Sequence, residues 1–161
     1  MAKARQQDPV TCFCFKVVLP NINASPADEA YFKSVSGLKY ESEVVDFKEG
    51  GFNVGVRRLV GPAKWPNLVL KRGFTGSSTL FNWRRMWLQD SLTGANNELK
   101  RVTGKIFQLT SDFQSVCSWE FKNGWPCKWE GPEYDASKSE LAIETLEIAH
   151  EGLFYEQIKK S

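Results

Sequence analysis

Val10-Thr11-Cys12-Phe13-Cys14-Phe15-Lys16-Val17-Val18-Leu19 is the stretch on which the fold turns. In an extended chain Phe13, Phe15, Val17 and Leu19 fall on one face, and Cys12, Cys14 and Val18 on the other. A half-buried antiparallel strand has one polar face, whereas this run has two apolar ones. It therefore reads as a strand that is either central in a thick core or buried against a neighbouring subunit. It is also too short and too charged, with Lys16 inside it, for a membrane span or a signal peptide. The expectation is a chain made and folded in the cytoplasm, with no stable membrane insertion.

Outward from this strand the chain alternates strand patterns with turn residues. A Pro- and Asn-rich turn follows Leu19. Val35 to Glu41 and Glu43 to Phe47 read as an amphipathic strand pair, with Leu38, Tyr40 and Val44 opposing Lys39, Glu41 and Glu43. Residues 48–66 form the longest irregular stretch, and a loop of that length in a compact domain is usually functional. Its Phe52, Arg57, Arg58, Leu59, Lys64 and Trp65 include residue types enriched where proteins meet proteins. Asn67 to Phe74 reads as a strand. Ser77 or Ser78 then caps a helix over about 77–89, with Leu80, Trp83 and Trp87 on one stripe and Phe81 and Leu88 beside them. Leu99 to Leu109 and Val116 to Lys122 read as a long hairpin in which Cys117, Trp119 and Phe121 face inward. Asn123-Gly124 is a tight-turn signal. A last strand runs from about Leu141 to Ala149, and the tail 152–161 is apolar for a chain end. Seven or so strands and one helix make a mainly β, single-domain chain (1–161) with a polar N-terminal arm (1–9). The architecture expected is two packed antiparallel sheets, a sandwich or barrel, with one flanking α-helix.

The composition, 42% hydrophobic and 25% charged, is that of an ordered globular protein. The net charge of +2 hides an uneven distribution. Arg57 to Lys128 holds 12 basic against 4 acidic residues, and Glu130 to Glu156 holds 8 acidic residues against Lys138. That acidic block argues against a nucleic-acid-binding domain, and ends of opposite sign let copies attract one another. Cys12, Cys14, Cys117 and Cys127 contain no Cys-x-x-Cys, and with His150 the single histidine a zinc site is not expected. The four read as small buried apolar residues. No nucleophile–base pair, phosphate loop or metal trio is legible, so neither catalysis nor a cofactor is expected.

Three ordered runs resemble the tail tube proteins of contractile phages and extracellular contractile injection systems. They are Tyr31-Phe-Lys-Ser-Val-Ser-Gly-Leu-Lys-Tyr-Glu-Ser-Glu-Val-Val-Asp-Phe-Lys-Glu-Gly-Gly, then Leu59-Val-Gly-Pro-Ala-Lys-Trp-Pro-Asn-Leu-Val-Leu-Lys-Arg-Gly-Phe-Thr with Phe81-Asn-Trp, and Glu144-Thr-Leu-Glu-Ile-Ala-His-Glu-Gly-Leu. Together they span about residues 10 to 155. The resemblance implies a fold akin to the haemolysin-coregulated protein of type VI secretion. It implies rings of six copies stacked into a tube inside a sheath, joined to baseplate, spike and terminator proteins, with an effector or DNA in the lumen. By the same resemblance 48–66 (Phe52, Arg57, Arg58, Leu59, Lys64, Trp65) lies at the ring-to-ring contact. Phe13, Phe15 and Val17 form an inter-subunit strand, and Lys39, Glu41 and Glu43 face the lumen. The particle is assembled in the cytoplasm and is then released or anchored. Two alternatives stay open: a baseplate tube-initiator or adaptor of the same family, and a small β-barrel module binding a ligand or single-stranded nucleic acid near Trp125 or Trp129.

Overall fold

A 16-residue strand, β8 (Ser115–Glu130), ties the architecture together. The structure is a computed structural model that describes residues 14–20, 22, 30–51, 54–93, 101–138 and 140–158. The other elements, in chain order, are β1 (Cys14–Val18), β2 (Ala30–Phe32), β3 (Ser34–Ser36), β4 (Glu41–Phe47), β5 (Arg57–Lys64) and β6 (Leu68–Gly73). The helix α1 (Thr79–Thr93) follows, then β7 (Val102–Leu109), β9 (Ile143–Ala149) and β10 (Gly152–Gln157). The N-terminal half of β8 pairs with β7 on one edge and β10 on the other. Its C-terminal half pairs with β9. One sheet therefore runs β2-β1-β7-β8-β10 and the other β8-β9-β6-β3, with every pairing antiparallel. The expected mainly β fold of two antiparallel sheets and one helix is what forms.

The passage from one sheet to the next occurs at Asn123-Gly124. The tight turn expected there does not form, and the pair lies within β8. Asn123 takes a φ of 52°, and a Cβ on Gly124 would come within 2.4 Å of the Phe121 ring. The residues that favour a two-residue turn, one tolerant of positive φ and one without a side chain, here bend a strand instead. Partner availability decides between the two: β9 and β10 stand ready beside either half, so the chain gains ladder bonds by continuing.

β1 lies between β2 and β7 in the first sheet. Both of its edges are hydrogen-bonded within the chain. Of Phe13, Phe15 and Val17, expected as an inter-subunit strand, the last two lie on this internally paired strand. Val17 is 0% exposed inside the chain's own core, Phe15 is half-buried, and Phe13 and Cys12 lie outside the described residues. The core joins Val17, Leu19, Ile106, Phe121 and Leu153 of the first sheet to Leu68, Leu70, Leu146 and Ile148 of the second.

Helix α1 covers one flank of this core. Ser78 caps it, its carbonyl accepting from the Asn82 amide at 2.8 Å. Leu80 and Trp83 are buried and Trp87 packs on Trp125 at 5.4 Å between ring centroids. The expected inward stripe is correct at these three positions. Phe81 and Leu88 are half-exposed instead of joining it. Ser118, which alternates with the inward-facing Cys117 and Trp119, is also buried.

Among the described residues an ionic pair lies in the interior. Arg72 and Glu144, opposite each other on β6 and β9, are hydrogen-bonded and only 7% and 1% exposed. Trp129 Nε1 donates to the second Glu144 oxygen at 3.1 Å, and the Phe32 ring lies 5.9 Å from the guanidinium. Burying two charges costs several kcal/mol each before pairing, so a register of β6 on β9 that separated them would be strongly disfavoured.

Candidate assembly surface

Residues 48–66 are not the single irregular loop expected. β5 occupies 57–64 and pairs with β4 from Glu41↔Lys64 to Phe47↔Arg57. The amphipathic pair expected between 35–41 and 43–47 does not form either: β3 pairs with β6, and β4 with β5. Among the described residues β4 and β5 pair with no other strand. They form a two-stranded arm, and such an arm is marginal in water without further packing.

The ladder carries its own charge pattern. Arg57 pairs with Glu49 at 2.7 Å, Arg58 with Asp46 at 3.5 Å, and Lys64 with Glu43 at 3.1 Å. Lys39 donates to Glu41 at 2.8 Å, and that hydrogen bond holds the Glu41 carboxyl below its ordinary range. Every charged side chain in this set is solvated, so each pair contributes little stability. Their effect is on pairing, since in these rungs β4 presents acids and β5 bases. A bulge between Ser42 and Val44 is set against Gly61, where a Cβ would meet the Glu43 carbonyl oxygen at 2.7 Å.

Between these pairs lie apolar side chains that the chain leaves uncovered. Val44 and Val60 are cross-strand partners, as are Val45 and Leu59. Val60 is 89% exposed, and Val44, Val45, Phe47 and Leu59 are half-exposed. Directly opposite residues share a face, so one face carries Val45, Phe47 and Leu59 and the other Val44 and Val60. Both faces therefore carry apolar side chains to solvent. An exposed patch of this kind marks an interaction site.

The arm is fixed to the body at its two feet. Tyr40 and Trp65 stack edge to face at 5.4 Å. Tyr40 also meets Trp119 of β8 at 6.5 Å, and Trp119 meets Tyr155 of β10 at 4.9 Å. Pro66 is tied to the β9–β10 corner through His150, whose Nε2 lies 3.1 Å from the Pro66 carbonyl and whose Nδ1 lies 3.1 Å from that of Gly152.

The predicted site residues are thus redistributed. Arg57, Arg58, Leu59 and Lys64 are exposed on β5, as a contact surface needs, while Trp65 is half-buried at the foot and Phe52 lies outside the described residues. Glu41 and Glu43, read as a separate lumen face with Lys39, stand on the same arm, and Glu43 is the partner of Lys64. Sequence reasoning missed Val44, Val45, Phe47 and Val60 as exposed. The signal was available: Val44-Val45 and Leu59-Val60 are adjacent apolar pairs, which cannot both point into one core from a strand. Among the described residues no group of three or more His, Cys, Asp or Glu side chains could hold a metal ion.

No curated protein sequence matches the chain significantly. Solved structures do. A chain in the sheath–tube complex of an extracellular contractile injection system, PVC, superposes with a TM-score of 0.74 at 20% identity, covering 94% of each chain. A chain in the tube-terminating cap of the anti-feeding prophage gives 0.76 at 19% identity, covering 98% of this chain and 97% of its own. Hcp1 from Flavobacterium johnsoniae gives 0.51 at 15%, covering 89% and 94%. At these identities the likeness is one of fold. The T4-like virus tail tube protein gp19 family matches residues 11–154, nearly the whole chain, and the chain belongs to that family.

Proposed function

We infer that copies of this tail tube protein close into rings of six, and that the β4–β5 arm of each copy makes the contact between stacked rings. The observation that carries this reading is the arm itself, a paired ladder with apolar side chains on both faces and no further partner strand among the described residues. Stacking copies would cover it. Head-to-tail contacts whose rotation closes generate rings, and a second, axial contact extends them into a tube. The whole chain acts as one structural domain without catalytic chemistry. A sheath surrounds the tube, baseplate and terminator proteins bound its ends, and the lumen carries an effector or DNA. Assembly takes place in the cytoplasm before the particle is released or anchored. The Lys39, Glu41 and Glu43 set lies at the foot of the arm, where a lumen-facing role and an axial role coincide.

Electron microscopy of the purified chain tests the reading, with annular particles or hollow tubes expected. Replacing Arg57 and Arg58 by Glu puts like charges against Glu49 and Asp46, so rings should persist while stacking fails. Tubes of unchanged length from that variant would remove the arm from the axial contact. A chain that stays a monomer under assembling conditions would remove the ring.

A further inference from the structure

The β4–β5 arm and the acidic stretch that follows β8 lie at opposite ends of the second sheet. The chain leaves that sheet for the arm after Ser36 of β3 and re-enters it at Leu68 of β6. This end is fixed by register, with Ser36 opposite Val69 and Leu68 opposite Ile148. The other end is marked by Gly73 opposite Ile143 and by Glu130 opposite Thr145. Five residue steps along β6 put about 17 Å between the two ends. At the far end a cleft of about 370 Å³ opens between Lys71 of β6 and Glu133, Asp135, Lys138, Glu140 and Leu141 of the β8–β9 connection.

Both ends carry groups left without a partner. A Cβ on Gly50 or Gly51 would meet nothing within 4 Å, so the outer end of the arm stands clear of the described body. It shows Phe47, Val54 and Val56 to solvent, Val54 at 92%. Glu49 is taken by Arg57 there, and Lys48 forms no ion pair among the described residues. In the cleft, Leu141 is 73% exposed. Glu130 is matched by Lys128 and Asp135 by Lys138, whereas Glu133, Glu140 and Lys71 form no ion pair among the described residues. Two carboxylates against Lys71 leave the cleft with one negative charge, and Lys48 leaves the end of the arm with one positive charge.

We propose that the outer end of the arm seats in this cleft of a second copy, in the next ring, with Val54 and Val56 against Leu141 and Lys48 between Glu133 and Glu140. The docking rests on the arm's being the axial contact and supplies the other half of that contact. Stacking that extends without limit joins two different surfaces at opposite ends of each copy, as these are. Arm against arm, or cleft against cleft, would close copies into pairs with like charge facing like. The solvated charges contribute little free energy and set the direction of approach, while apolar contact supplies the affinity. The cleft's negative balance repels a phosphate backbone and attracts Lys48, so the charge that disfavours nucleic acid favours the arm. A basic segment of a different protein would match the charge alone. The arm also brings valines that nothing among the described residues covers.

The test uses the full chain under assembling conditions. Lys48→Glu, and separately Glu133→Lys/Glu140→Lys, should leave rings and melting temperature unchanged, all three positions being exposed. Each should lower the stacking constant at least tenfold, read as tube length by negative-stain microscopy. Combining them restores opposite charge and should recover the tubes. A photo-reactive benzoylphenylalanine replacing Val54, in tubes mixed from isotope-labelled and unlabelled copies, should join heavy to light peptides within the stretch from Gly131 to Leu141. Cross-links between copies to another stretch overturn the cleft and leave the arm's axial role standing. So does a stacking defect that the combined variant does not relieve. Normal tubes from both charge variants overturn the docking, and the arm reading is then judged separately by Arg57→Glu/Arg58→Glu. A cleft variant that stacks normally and only loses binding of a free lysine–valine peptide assigns the cleft to a different protein, and the proposal falls.

Discussion

Val60 offers a test in which the effects on folding and on assembly separate cleanly. It is 89% exposed in the isolated chain, on the same face of the arm as Val44. Replacing it by alanine removes two methyl groups that touch little of their own chain, so stability should stay within about 0.5 kcal/mol. In a stacked tube the same methyls would be buried against the next ring. At about 0.8 kcal/mol per buried methyl(ene), the loss is about 1.6 kcal/mol per contact. Summed over the six proposed copies it reaches about 10 kcal/mol per ring-to-ring interface, a fall of roughly seven powers of ten in the stacking constant. The expected outcome for Val60→Ala is an unchanged urea midpoint, rings by sedimentation velocity, and short or absent tubes by negative-stain microscopy. Two results would sink the reasoning: tubes as long and as numerous as the wild type, or a drop in urea midpoint, which would mean that Val60 packs in its own chain.

Three further outcomes follow from the geometry. Glu144→Gln leaves the Arg72 guanidinium in the core without its counter-charge and should cost about 3–5 kcal/mol, read as a lower urea midpoint. Replacing both partners, Arg72→Met with Glu144→Leu, should cost less than the single change. Trp65→Ala removes the edge-to-face partner of Tyr40 while leaving the β4–β5 ladder in place. Amide exchange should then rise at the feet of the arm, with β7 and β8 still protected. Cys127 is pushed up from the usual thiol range, first by burial and then by the Glu147 carboxylate. Its alkylation at pH 8 should be slower than that of a free thiol and should accelerate only at higher pH. Glu147→Gln should shift that rise to lower pH, as peptide-resolved mass spectrometry can follow.

Local periodicity made much of the fold legible, and the places where it misled share one cause. Leu80, Trp83 and Trp87 announce the inner face of α1 because helical spacing and burial agree there. Asn123-Gly124 misled because a dipeptide reports which backbone angles are available, and the strands waiting on either side choose among them. The doubly apolar run at 10–19 stated that β1 is covered on two faces, without saying by which elements. Residues 57–64 were hidden for another reason: Gly61 and Pro62 read as loop residues, yet Gly61 is needed where Glu43 approaches. An antiparallel edge also tolerates a proline.

The same reasoning explains why the candidate surface was found in outline and misassigned in detail. Arg57, Arg58 and Trp65 drew attention as interface-type residues, but a type carries no partner with it. In the folded chain the arginines are matched to Glu49 and Asp46, and Trp65 serves as a foot. The uncompensated groups are the valines and Leu59 between them. Solvated ion pairs contribute little net free energy, whereas each uncovered valine holds about 1.5–3 kcal/mol that only burial releases. If rings stack through the arm as proposed, the free energy for it resides in the apolar rungs of the β4–β5 ladder, while the oppositely charged rungs hold its two strands together. An arm built this way would bind strongly only to a surface that matches both, as the proposed addition of identical rings requires.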